Sequence, residues 1–510
     1  MEAHPTAATD PNAPTDSGAA PERQPLLEIE SLSWTYPGVE SATEPSGGGV
    51  ETLQPDAPAA VSDISLTAMP GECVVLCGAS GCGKSTLLSL INGVLPNFHE
   101  RGRLTGSIRM HVEEFGTIAN NEVLPEDLGR CIGTVMQRPR TQFFTQTIPE
   151  ELAFGMENFG FPPTEIRERL ADREAALAEY VPLDHPLRQL SGGQQQQVAI
   201  AACSAHRPEL VLFDEPSANL SADAVERLRE TLTQLKARGV TLIIAEHRLE
   251  YLSDLVDQVC ELSRGRIVRR WTGDEFRALD ASALRESGLC SGPTQVELPQ
   301  LRDAEPDPQG LELHDVHCPR ILDVDHLTFP AGRVTAIRGR NGAGKTTLAR
   351  IIAGLTRASG TVRLAGRRLG PRARQGACAM VMQDVQRQLL SNTVLGEVTL
   401  AVKSGVGAAA PTRSESECKA ILGELDLGDF LDRHPLSLSG GQQQRLAVAQ
   451  AAVSDRPVVI FDEPSSGVDQ RHLEAISAQL RALADRGAVV LLISHDTELL
   501  QQAADLQLQL

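Results

Sequence analysis

Two glycine-rich segments of the same pattern, G-x-x-x-x-G-K-[S/T], constrain the fold of this chain more than any other feature of its sequence. The first spans residues 78–86 and follows the apolar run 73–77, and the second spans residues 339–347 and follows the run 334–337. Each pattern predicts a buried strand, a loop and the start of a helix, because the glycines let several backbone N–H groups converge on one anion. The sequence therefore predicts two phosphate-binding loops, and with them two nucleotide sites.

The two loops supply most of the candidate nucleotide-binding residues. The lysine of each loop brings a positive charge to the outer phosphates, and the hydroxyl group of the next residue suits Mg²⁺ at the N-terminus of a helix. The candidates are Gly78, Ser80, Gly81, Gly83, Lys84, Ser85 and Thr86 in the first loop, and Gly339, Asn341, Gly342, Gly344, Lys345, Thr346 and Thr347 in the second.

Two further predicted strands of the first half end at side chains that suit catalysis. The apolar run 210–213 ends at Asp214 and Glu215. The aspartate suits a contact with a Mg²⁺-bound water, and the glutamate suits a base for water that attacks a γ-phosphate. The run 242–245 leads to His247, at the edge where parallel sheets place their ligands. These spacings predict a phosphate-hydrolysing site.

A glycine-rich segment without a lysine, at residues 190–194, is predicted to open another helix. A helix N-terminus of this type can hold a phosphate group with backbone N–H groups alone. The same sequence recurs 248 residues later at 438–442, and Asp462 and His495 follow their first-half counterparts at the same spacing. The chain is therefore predicted to contain one module twice.

The repeat and the composition between its copies predict the domain organisation. The tail and the linker carry too few large apolar side chains to offset the entropy of ordering them. The predicted units are a disordered tail at 1–25, a first domain at 26–272 with a flexible insertion at 38–58, an acidic linker at 273–310, and a second domain at 311–510.

The composition limits the classes of partner. The chain has 510 residues, of which 41% are apolar, which is enough for several folded domains. The net charge of −20 and the absence of a basic block argue against a nucleic-acid partner. Ten cysteines without a C-x-x-C pair fit a reducing cytosol. No apolar run approaches the roughly 18 residues that span a bilayer, so we expect any membrane role to depend on a partner.

Taken together, the motifs resemble those of tandem ATP-binding-cassette (ABC) ATPases. The resemblance rests on both phosphate loops, Gln137 and Gln383, both LSGGQ segments, both Asp-Glu-Pro carboxylate pairs and both strand-end histidines. It implies an α/β fold with two P-loop nucleotide-binding domains, each with a RecA-like core, an antiparallel β subdomain and an inserted helical lobe. More narrowly, four segments resemble fused ATPase subunits of the energy-coupling-factor (ECF) importers of bacteria: residues 92–97, 142–144, 154–158 and 245–248.

The resemblance implies that the two modules pair head to tail, so that each ATP with its Mg²⁺ lies between the phosphate loop of one module and the LSGGQ segment of the other. The first site is expected to use Tyr36, Lys84, Ser85, Gln137, Asp214, Glu215 and His247 with Ser439, Gly440, Gly441 and Gln442. The second is expected to use Lys345, Thr346, Gln383, Asp462, Glu463 and His495 with Ser191, Gly192, Gly193 and Gln194. The expected catalytic residues are Glu215, Glu463, His247, His495, Gln137 and Gln383, and the expected Mg²⁺ ligands are Ser85, Gln137, Asp214, Thr346, Gln383 and Asp462.

The resemblance also implies partners and a location. ATP hydrolysis is expected to drive uptake of a vitamin, a metal ion or another small solute through integral membrane subunits, whose coupling helices contact the helical lobes, at the cytoplasmic face of a bacterial plasma membrane. The pairs Phe143-Phe144 and Leu389-Leu390 are candidate contacts, although burial within the lobe explains them equally well. A fused sugar-importer or exporter ATPase is one alternative. A soluble tandem ATPase that acts on ribosomes is another, and the acidic linker argues against it.

Two departures from the family pattern touch the second site. Arg320 stands where the first half has Tyr36, the residue expected to stack on adenine, and Ser221 stands where the second half has Asp469. Ser221 can still cap the helix that follows. The second site is therefore predicted to be the weaker or slower one. Inside the first loop, Cys82 is predicted to be either a reactive thiol or only a small residue that the loop tolerates.

Overall fold

The computed structural model contains two α/β units in succession, here called the first half, described up to residue 279, and the second half, described from residue 296. Residues 1–23 of the predicted tail and the whole predicted insertion 38–58 lie outside the described residues. The described residues are 24–36, 59–79, 81–98, 102–112, 116–119, 125–218, 220–279, 296–301, 307–339, 342–403, 413–465, 468 and 470–510.

Strands and helices are numbered in chain order. The strands are β1 (Leu27–Thr35), β2 (Val61–Ala68), β3 (Cys73–Cys77), β4 (Arg103–Val112), β5 (Gly116–Ala119), β6 (Ile132–Val135), β7 (Leu210–Asp214), β8 (Thr241–Ala245), β9 (Gln258–Ser263), β10 (Arg266–Thr272), β11 (Leu311–Cys318), β12 (Leu322–Phe329), β13 (Val334–Arg338), β14 (Thr361–Leu364), β15 (Arg367–Arg368), β16 (Cys378–Val381), β17 (Val458–Asp462), β18 (Val489–Ile493) and β19 (Leu506–Gln509). The helices are α1 (Lys84–Ile91), α2 (Val94–Asn97), α3 (Pro125–Cys131), α4 (Ile148–Asn158), α5 (Pro163–Leu177), α6 (Gly192–Ser204), α7 (Ala222–Ala237), α8 (Gly273–Arg277), α9 (Lys345–Ile352), α10 (Pro371–Ala377), α11 (Val394–Lys403), α12 (Glu415–Glu424), α13 (Gly440–Val453), α14 (Gln470–Asp485) and α15 (Thr497–Ala503).

Each half has a central sheet of buried parallel strands. The order is β10-β9-β3-β8-β7-β6 in the first half, where only β10 runs antiparallel to its neighbour, and β16-β17-β18-β13-β19 in the second, where all strands are parallel. Strands β3 and β8 are buried along their whole length, which explains their continuous apolar sequences, since parallel strands are covered on both faces. The strand that leads into each phosphate loop lies inside its sheet, so the motifs meet at one edge.

Each half also has an antiparallel sheet and a helical lobe. The antiparallel sheets have the orders β2-β1-β4-β5 and β12-β11-β14-β15. In the first half α4 and α5 pack on α6 through Ile148, Leu152 and Leu177, among other buried residues. In the second half α11 and α12 pack on α13 in the same way. The predicted architecture of core, β subdomain and helical lobe is confirmed.

The segment at residues 296–301 completes the sheet edge of the second half. The backbone N–H of Gln507 in β19 donates to the Pro299 carbonyl at 2.8 Å, and Gln300 forms a parallel bridge with Gln507. Leu301 is buried in the core beneath the antiparallel sheet of this half. In the first half the equivalent edge, beside β9, carries β10 instead. A piece of chain at the start of the second half therefore takes the place of a strand.

We predict that Leu301→Ala destabilises the second half by about 2–4 kcal/mol, because it removes buried methyl groups and leaves a cavity. Thermal unfolding of the full chain by calorimetry would measure the effect. Ile321→Ala is the matched control, since Ile321 belongs to the same half and is 50% exposed. An equal shift in both variants would show that residues 296–301 do not pack on the second half.

Candidate functional site

The backbone of each phosphate loop begins at a glycine that no other residue could replace. Gly78 has φ 134°, and a Cβ atom there would lie 2.1 Å from the Leu262 carbonyl oxygen. Gly339 has φ 151°, and its Cβ would lie 2.7 Å from the carbonyl oxygen of Leu510. Both values lie in the left-handed half of the φ range and both contacts are with rigid backbone. The loops therefore require glycine at their first positions.

The lysines of both loops are buried at the start of α1 and α9. The ammonium of Lys84 donates to the carbonyl oxygens of Gly78 at 2.8 Å and Ala79 at 3.2 Å, and that of Lys345 donates to Gly339 at 2.7 Å. Each ammonium therefore lies over its own loop, within the ring of backbone that the motif predicts around a phosphate. Two predicted loop residues, Ser80 and Asn341, lie outside the described residues.

The predicted Mg²⁺-binding hydroxyl and carboxylate meet in both halves. Ser85 Oγ donates to Asp214 Oδ1 at 2.9 Å, and Thr346 Oγ1 donates to Asp462 Oδ2 at 2.9 Å. Burial, with the charge of Glu215 in addition, raises the pKa of Asp214 to about 6, and burial raises the pKa of Asp462 as well. A partly dehydrated pair of oxygen donors of this kind is the ligand set that Mg²⁺ prefers, so the residues fit that ion.

In the first half three predicted catalytic side chains form one hydrogen-bonded group. Gln137 Nε2 donates to Glu215 Oε2 at 2.6 Å, and His247 Nε2 lies 3.0 Å from Glu215 Oε1. Burial by itself would raise the pKa of the Glu215 carboxyl. Four interactions outweigh this effect of burial: the hydrogen bond to His247, the charges of His247 and Lys84, and the hydrogen bond from Gln137. The pKa of Glu215 therefore lies below its usual value. This glutamate is ionised and held in place at neutral pH.

In the second half the equivalent group is open. His495 Nε2 lies 3.7 Å from Glu463 Oε1, and the Gln383 side chain is exposed and makes no hydrogen bond to any described residue. Burial, increased by the charge of Asp462, raises the pKa of Glu463 to about 8. Burial, with the charge of Lys345, lowers the pKa of His495 to about 4. The structure thus brings Glu463 and His495 near each other but leaves Gln383 apart.

Both glutamates share an unusual backbone. Glu215 has φ 45° and Glu463 has φ 53°, in the left-handed region that side chains other than glycine rarely adopt. Their N–H groups donate to the carbonyls of Ala245 and Ile493 at 2.8 and 2.9 Å, on the neighbouring strands β8 and β18. These bonds hold a strained turn that directs each glutamate away from its strand, as strained residues at functional sites do.

A buried carboxylate that the motif analysis gave no role fixes the histidine turn of the first half. Glu246 accepts hydrogen bonds from the N–H of Ser217 at 3.2 Å, the N–H of His247 at 2.7 Å and the hydroxyl of Tyr251 at 2.9 Å. The second half has the shorter Ser494 at this position. Glu246 thus anchors the backbone of His247, whose ring lies within hydrogen-bond distance of Glu215.

Tyr36, the residue expected to stack on adenine, lies beside the first phosphate loop. Its hydroxyl is 3.3 Å from Thr86 Oγ1, its ring packs edge-on against Trp34, and 39% of its surface is exposed. Arg320 lies exposed in the turn between β11 and β12, with φ 66°. Beside it the exposed Ile321 has its carbonyl oxygen against Gly344. Sequence reasoning missed this apolar side chain near the second loop.

The LSGGQ segments open α6 and α13 with matching caps. Ser191 Oγ accepts from the N–H of Gln194 at 3.4 Å, and Gln194 Oε1 accepts from the N–H of Ser191 at 2.9 Å. Ser439 and Gln442 form the same pair of bonds, at 3.4 and 2.9 Å. The capping box holds the first turn in shape while the N–H groups of the intervening glycines point out of the helix end. Ser221 also occupies an N-cap position but makes no capping bond, and Asp469 lies outside the described residues.

An ion pair joins the two halves. Arg248 of the first half lies 3.8 Å from the carboxylate of Asp496 of the second. These residues follow His247 and His495 and occupy equivalent positions in the repeat, 248 residues apart. Residues that contact their own equivalents lie close to an axis of two-fold symmetry. This ion pair therefore joins the turns that follow the two histidines.

The loops that follow Gln137 and Gln383 each present one apolar side chain. Phe144 is 76% exposed and Leu390 is 77% exposed, whereas the preceding Phe143 and Leu389 pack against the cores. Each predicted pair thus divides into one anchoring residue and one exposed residue.

Two buried glutamates hold these loops in place, and the motif analysis missed both. Glu151 accepts from the N–H groups of Phe144 at 3.1 Å and Thr145 at 2.9 Å, and Glu397 accepts from the N–H of Leu390 at 3.0 Å and from Gln450 at 2.7 Å. The sequence did carry a signal of their importance, since a glutamate stands at the same place in both copies. Its purpose could not be inferred without knowing that it is buried.

The expectation that Cys82 is a reactive thiol is wrong. The side chain is buried, and burial raises the pKa of the thiol despite the charge of Lys84. A thiol with a raised pKa is a poor nucleophile. The residue therefore fills space in the loop, as the second interpretation held.

These sites define a P-loop ATPase with two nucleotide-binding units, and comparisons with known proteins identify its family. The family model described as ABC transporter matches residues 61–218 and 322–466, which together exceed half of the chain. The chain therefore belongs to the ABC transporter ATP-binding proteins, with two cassettes, and is an enzyme that binds and hydrolyses ATP.

Individual relatives extend over both cassettes. A protein of Treponema denticola that bears the name ABC transporter ATP-binding protein is 36% identical, over 86% of this chain and 89% of the relative. A Bacillus subtilis protein that bears the name HMP/thiamine import ATP-binding protein is 29% identical, over 94% of this chain and 89% of the relative. A chain in the structure of ribosome-bound archaeal Pelota and ABCE1 has a TM-score of 0.60 at 22% identity, over 87% of this chain and 74% of that one, which shows a shared fold. Within the described residues, no helix is long and apolar enough to cross a membrane.

We predict that the stability contribution of Glu463 depends on pH between about 5 and 8 in the nucleotide-free protein, whereas that of Glu215 is constant over this range. The folded-state pKa of Glu463 lies near 8, above its ordinary value of 4.5, so this residue costs stability as the pH rises from about 5 to about 8. Glu463→Gln should therefore become more stable relative to wild type across that range. The folded-state pKa of Glu215 is lowered, so its stabilisation is fully present above about 5, and Glu215→Gln should lie below wild type by a constant amount there.

Melting temperatures of the three proteins at pH 5 to 8.5 would measure the difference. Parallel curves for wild type and Glu463→Gln would contradict the raised pKa of Glu463.

Proposed function

We propose that this chain is the ATP-hydrolysing subunit of an ECF-type importer, and that it drives uptake of a vitamin, a metal ion or another small solute through separate membrane subunits. It would bind peripherally at the cytoplasmic face of a bacterial plasma membrane. The observation that carries the proposal is the pair of exposed apolar residues, Phe144 and Leu390, each seven residues after a catalytic glutamine and each held by a buried glutamate. The name of the Bacillus subtilis relative, which refers to import, supports the direction of transport.

Two rigid, exposed apolar side chains suit contact with helices of a membrane partner. Isolated large apolar residues are common on surfaces. Here, however, a buried carboxylate also fixes the surrounding loop, which indicates that the loop must keep its shape. The loops also connect directly to Gln137 and Gln383, so a change at a nucleotide site would move the docking residue. Because Phe144 and Leu390 differ in shape, the two loops suit two different partner segments.

The proposed mechanism at the first site uses residues that already lie together. Mg²⁺ bound beside Ser85 and Asp214 would neutralise charge on the phosphates. Lys84 would bind the outer phosphates, and Glu215, ionised at neutral pH, would accept a proton from the attacking water. Gln137 and His247 hold that carboxylate in position through their hydrogen bonds.

The second site would work more slowly. Glu463 is largely protonated at neutral pH in the nucleotide-free protein and cannot act as a base until the site is rearranged. Its adenine side has Arg320 and Ile321 rather than a tyrosine. We therefore infer unequal sites, with the second the weaker.

Head-to-tail pairing of the cassettes would complete both sites. The contact between Arg248 and Asp496 supports a pseudo-two-fold arrangement, and such symmetry would bring each LSGGQ helix to the opposite phosphate loop. Closure on ATP and reopening after hydrolysis would then move the two docking loops relative to each other.

We predict that Glu215→Gln lowers the rate of ATP hydrolysis by about a hundredfold or more, because loss of a general base typically costs 10²–10⁴. Glu463→Gln should have a smaller effect, since the wild-type residue is mostly protonated. The measurement is steady-state turnover at neutral pH, with ATP binding to each variant checked by equilibrium titration. Equal losses in the two variants would contradict unequal sites.

We predict that Phe144→Asp removes the protein from the membrane fraction of its host while its ATP affinity stays unchanged. A charge at the centre of an apolar contact is costly when desolvated. Phe98→Asp is the matched control, because Phe98 is 71% exposed and lies outside the helical lobe. The measurement is the share of tagged protein that sediments with membranes. Membrane association that survives Phe144→Asp would count against the proposed docking loop, and loss in both variants would count against its specificity.

A further inference from the structure

A cavity of about 650 Å³ lies in the first half between α5, the C-terminal ends of α6 and α7, and the chain that enters β7. Glu209 on its wall directly precedes β7, whereas Asp214 ends that strand. The cavity is therefore at the opposite end of the sheet from the nucleotide site. We call it the arginine cavity, since its charged lining residues are Arg169, Arg173, Arg207, Arg238, Asp172 and Glu209.

Two of these arginines, both on α5, have protein partners. Arg173 donates to the carbonyl oxygen of Ser204 at 2.8 Å, and Arg169 donates to that of Ala205 at 3.5 Å and pairs with Glu165. They satisfy carbonyl groups at the C-terminal end of α6, where positive charge is favourable. The structural role of these two arginines is thus accounted for.

The other two arginines, Arg207 and Arg238, are exposed to solvent at the cavity wall. The guanidinium groups of Arg207 and Arg238 make no hydrogen bond and no ion pair with any residue in the described part of the chain. Burial, and after it the charges of Arg238 and Arg207, lower the pKa of Arg173. Four arginines against the two acids of the lining, Asp172 and Glu209, leave an excess of positive charge here, in a chain whose net charge is −20. An anion in the cavity would balance that excess.

The second half neutralises the equivalent region internally. Its counterpart of Arg207 is Asp455, which pairs with Arg413 at 2.9 Å. Its counterpart of Arg238 is Arg486, which donates to the carbonyl oxygen of Ala452 at 3.1 Å. The two guanidinium groups without protein partners are thus found in the first half, and their counterparts in the second half do not repeat them.

We propose that the arginine cavity binds a small phosphorylated anion, at a place separate from both nucleotide sites. Guanidinium groups bind phosphate oxygens through paired hydrogen bonds, and the volume is ordinary for a small-molecule site. Arg169 and Arg173 belong to the helical lobe, whereas Arg207 and Arg238 belong to the core. A bound anion therefore bridges lobe and core next to α6, whose other end carries the LSGGQ segment. The proposal is independent of transport and of any membrane partner.

Titration of pyrophosphate into the full chain by calorimetry tests the site. The protein carries Lys84→Ala and Lys345→Ala, so that the phosphate loops do not compete. Arg207→Asp should weaken pyrophosphate binding by about tenfold or more, the loss expected for a charged hydrogen-bonding group. The backbone tolerates this change, since Arg207 has φ 63° and its counterpart Asp455 has φ 45°. Arg167→Asp, on the exposed face of α5 outside the cavity, is the matched control and should leave affinity unchanged.

A second measurement uses the unaltered chain. Phenylglyoxal modifies accessible arginines, and mass spectrometry would report whether pyrophosphate protects Arg207 and Arg238 but not Arg167. Protection confined to the cavity, with pyrophosphate bound more tightly than sulfate, supports the proposal. Equal affinity for sulfate and pyrophosphate, affinity unaffected by Arg207→Asp, or modification of Arg207 and Arg238 at the same rate with and without pyrophosphate would each overturn it.

Discussion

The packing of the phosphate-loop strand inside a parallel sheet is the constraint on which both sites depend. In the first half β3 lies between β8 and β9, and in the second β13 lies between β18 and β19. Because neighbouring strands run in the same direction, the loop glycines, the carboxylates and the histidines all leave the sheet at one edge. Hydrogen bonds from the N–H groups of Glu215 and Glu463 to the adjacent strands then fix the turns that carry these two carboxylates. Removal of that packing would separate every motif from its partners.

Buried carboxylates also fix the conformation of several loops. Glu151 and Glu397 accept backbone N–H groups in the loops that present Phe144 and Leu390, and Glu246 does the same for the turn of His247. A carboxylate that accepts several N–H bonds inside a protein is well compensated for its lost hydration, and it also removes freedom from a loop. Buried acids therefore fix the shape of these three segments.

Duplication placed the same backbone in two different chemical environments. The first cassette holds Glu215 with Gln137 and His247, while in the second the raised pKa of Glu463 reflects burial without those bonds. The same divergence appears far from the nucleotide sites, where Asp455 pairs with an arginine and its counterpart Arg207 lines a cavity of positive charge. Equivalent positions thus keep their conformation while their charges differ.

The sequence alone determined the repeated module and the fold class, and it supplied the candidate residues of each nucleotide site, because a phosphate loop, a carboxylate-ended strand and a capped helix are local patterns with fixed spacing. It could not determine which of Phe143 and Phe144 is exposed, nor that Cys82 is an inert buried thiol, since both outcomes depend on neighbours distant in the chain. The opposite pKa shifts of Glu215 and Glu463 were hidden for the same reason: the two residues have identical sequence neighbours but different burial and hydrogen-bond partners. Charge and burial act through space, and only the tertiary structure decides which groups share that space.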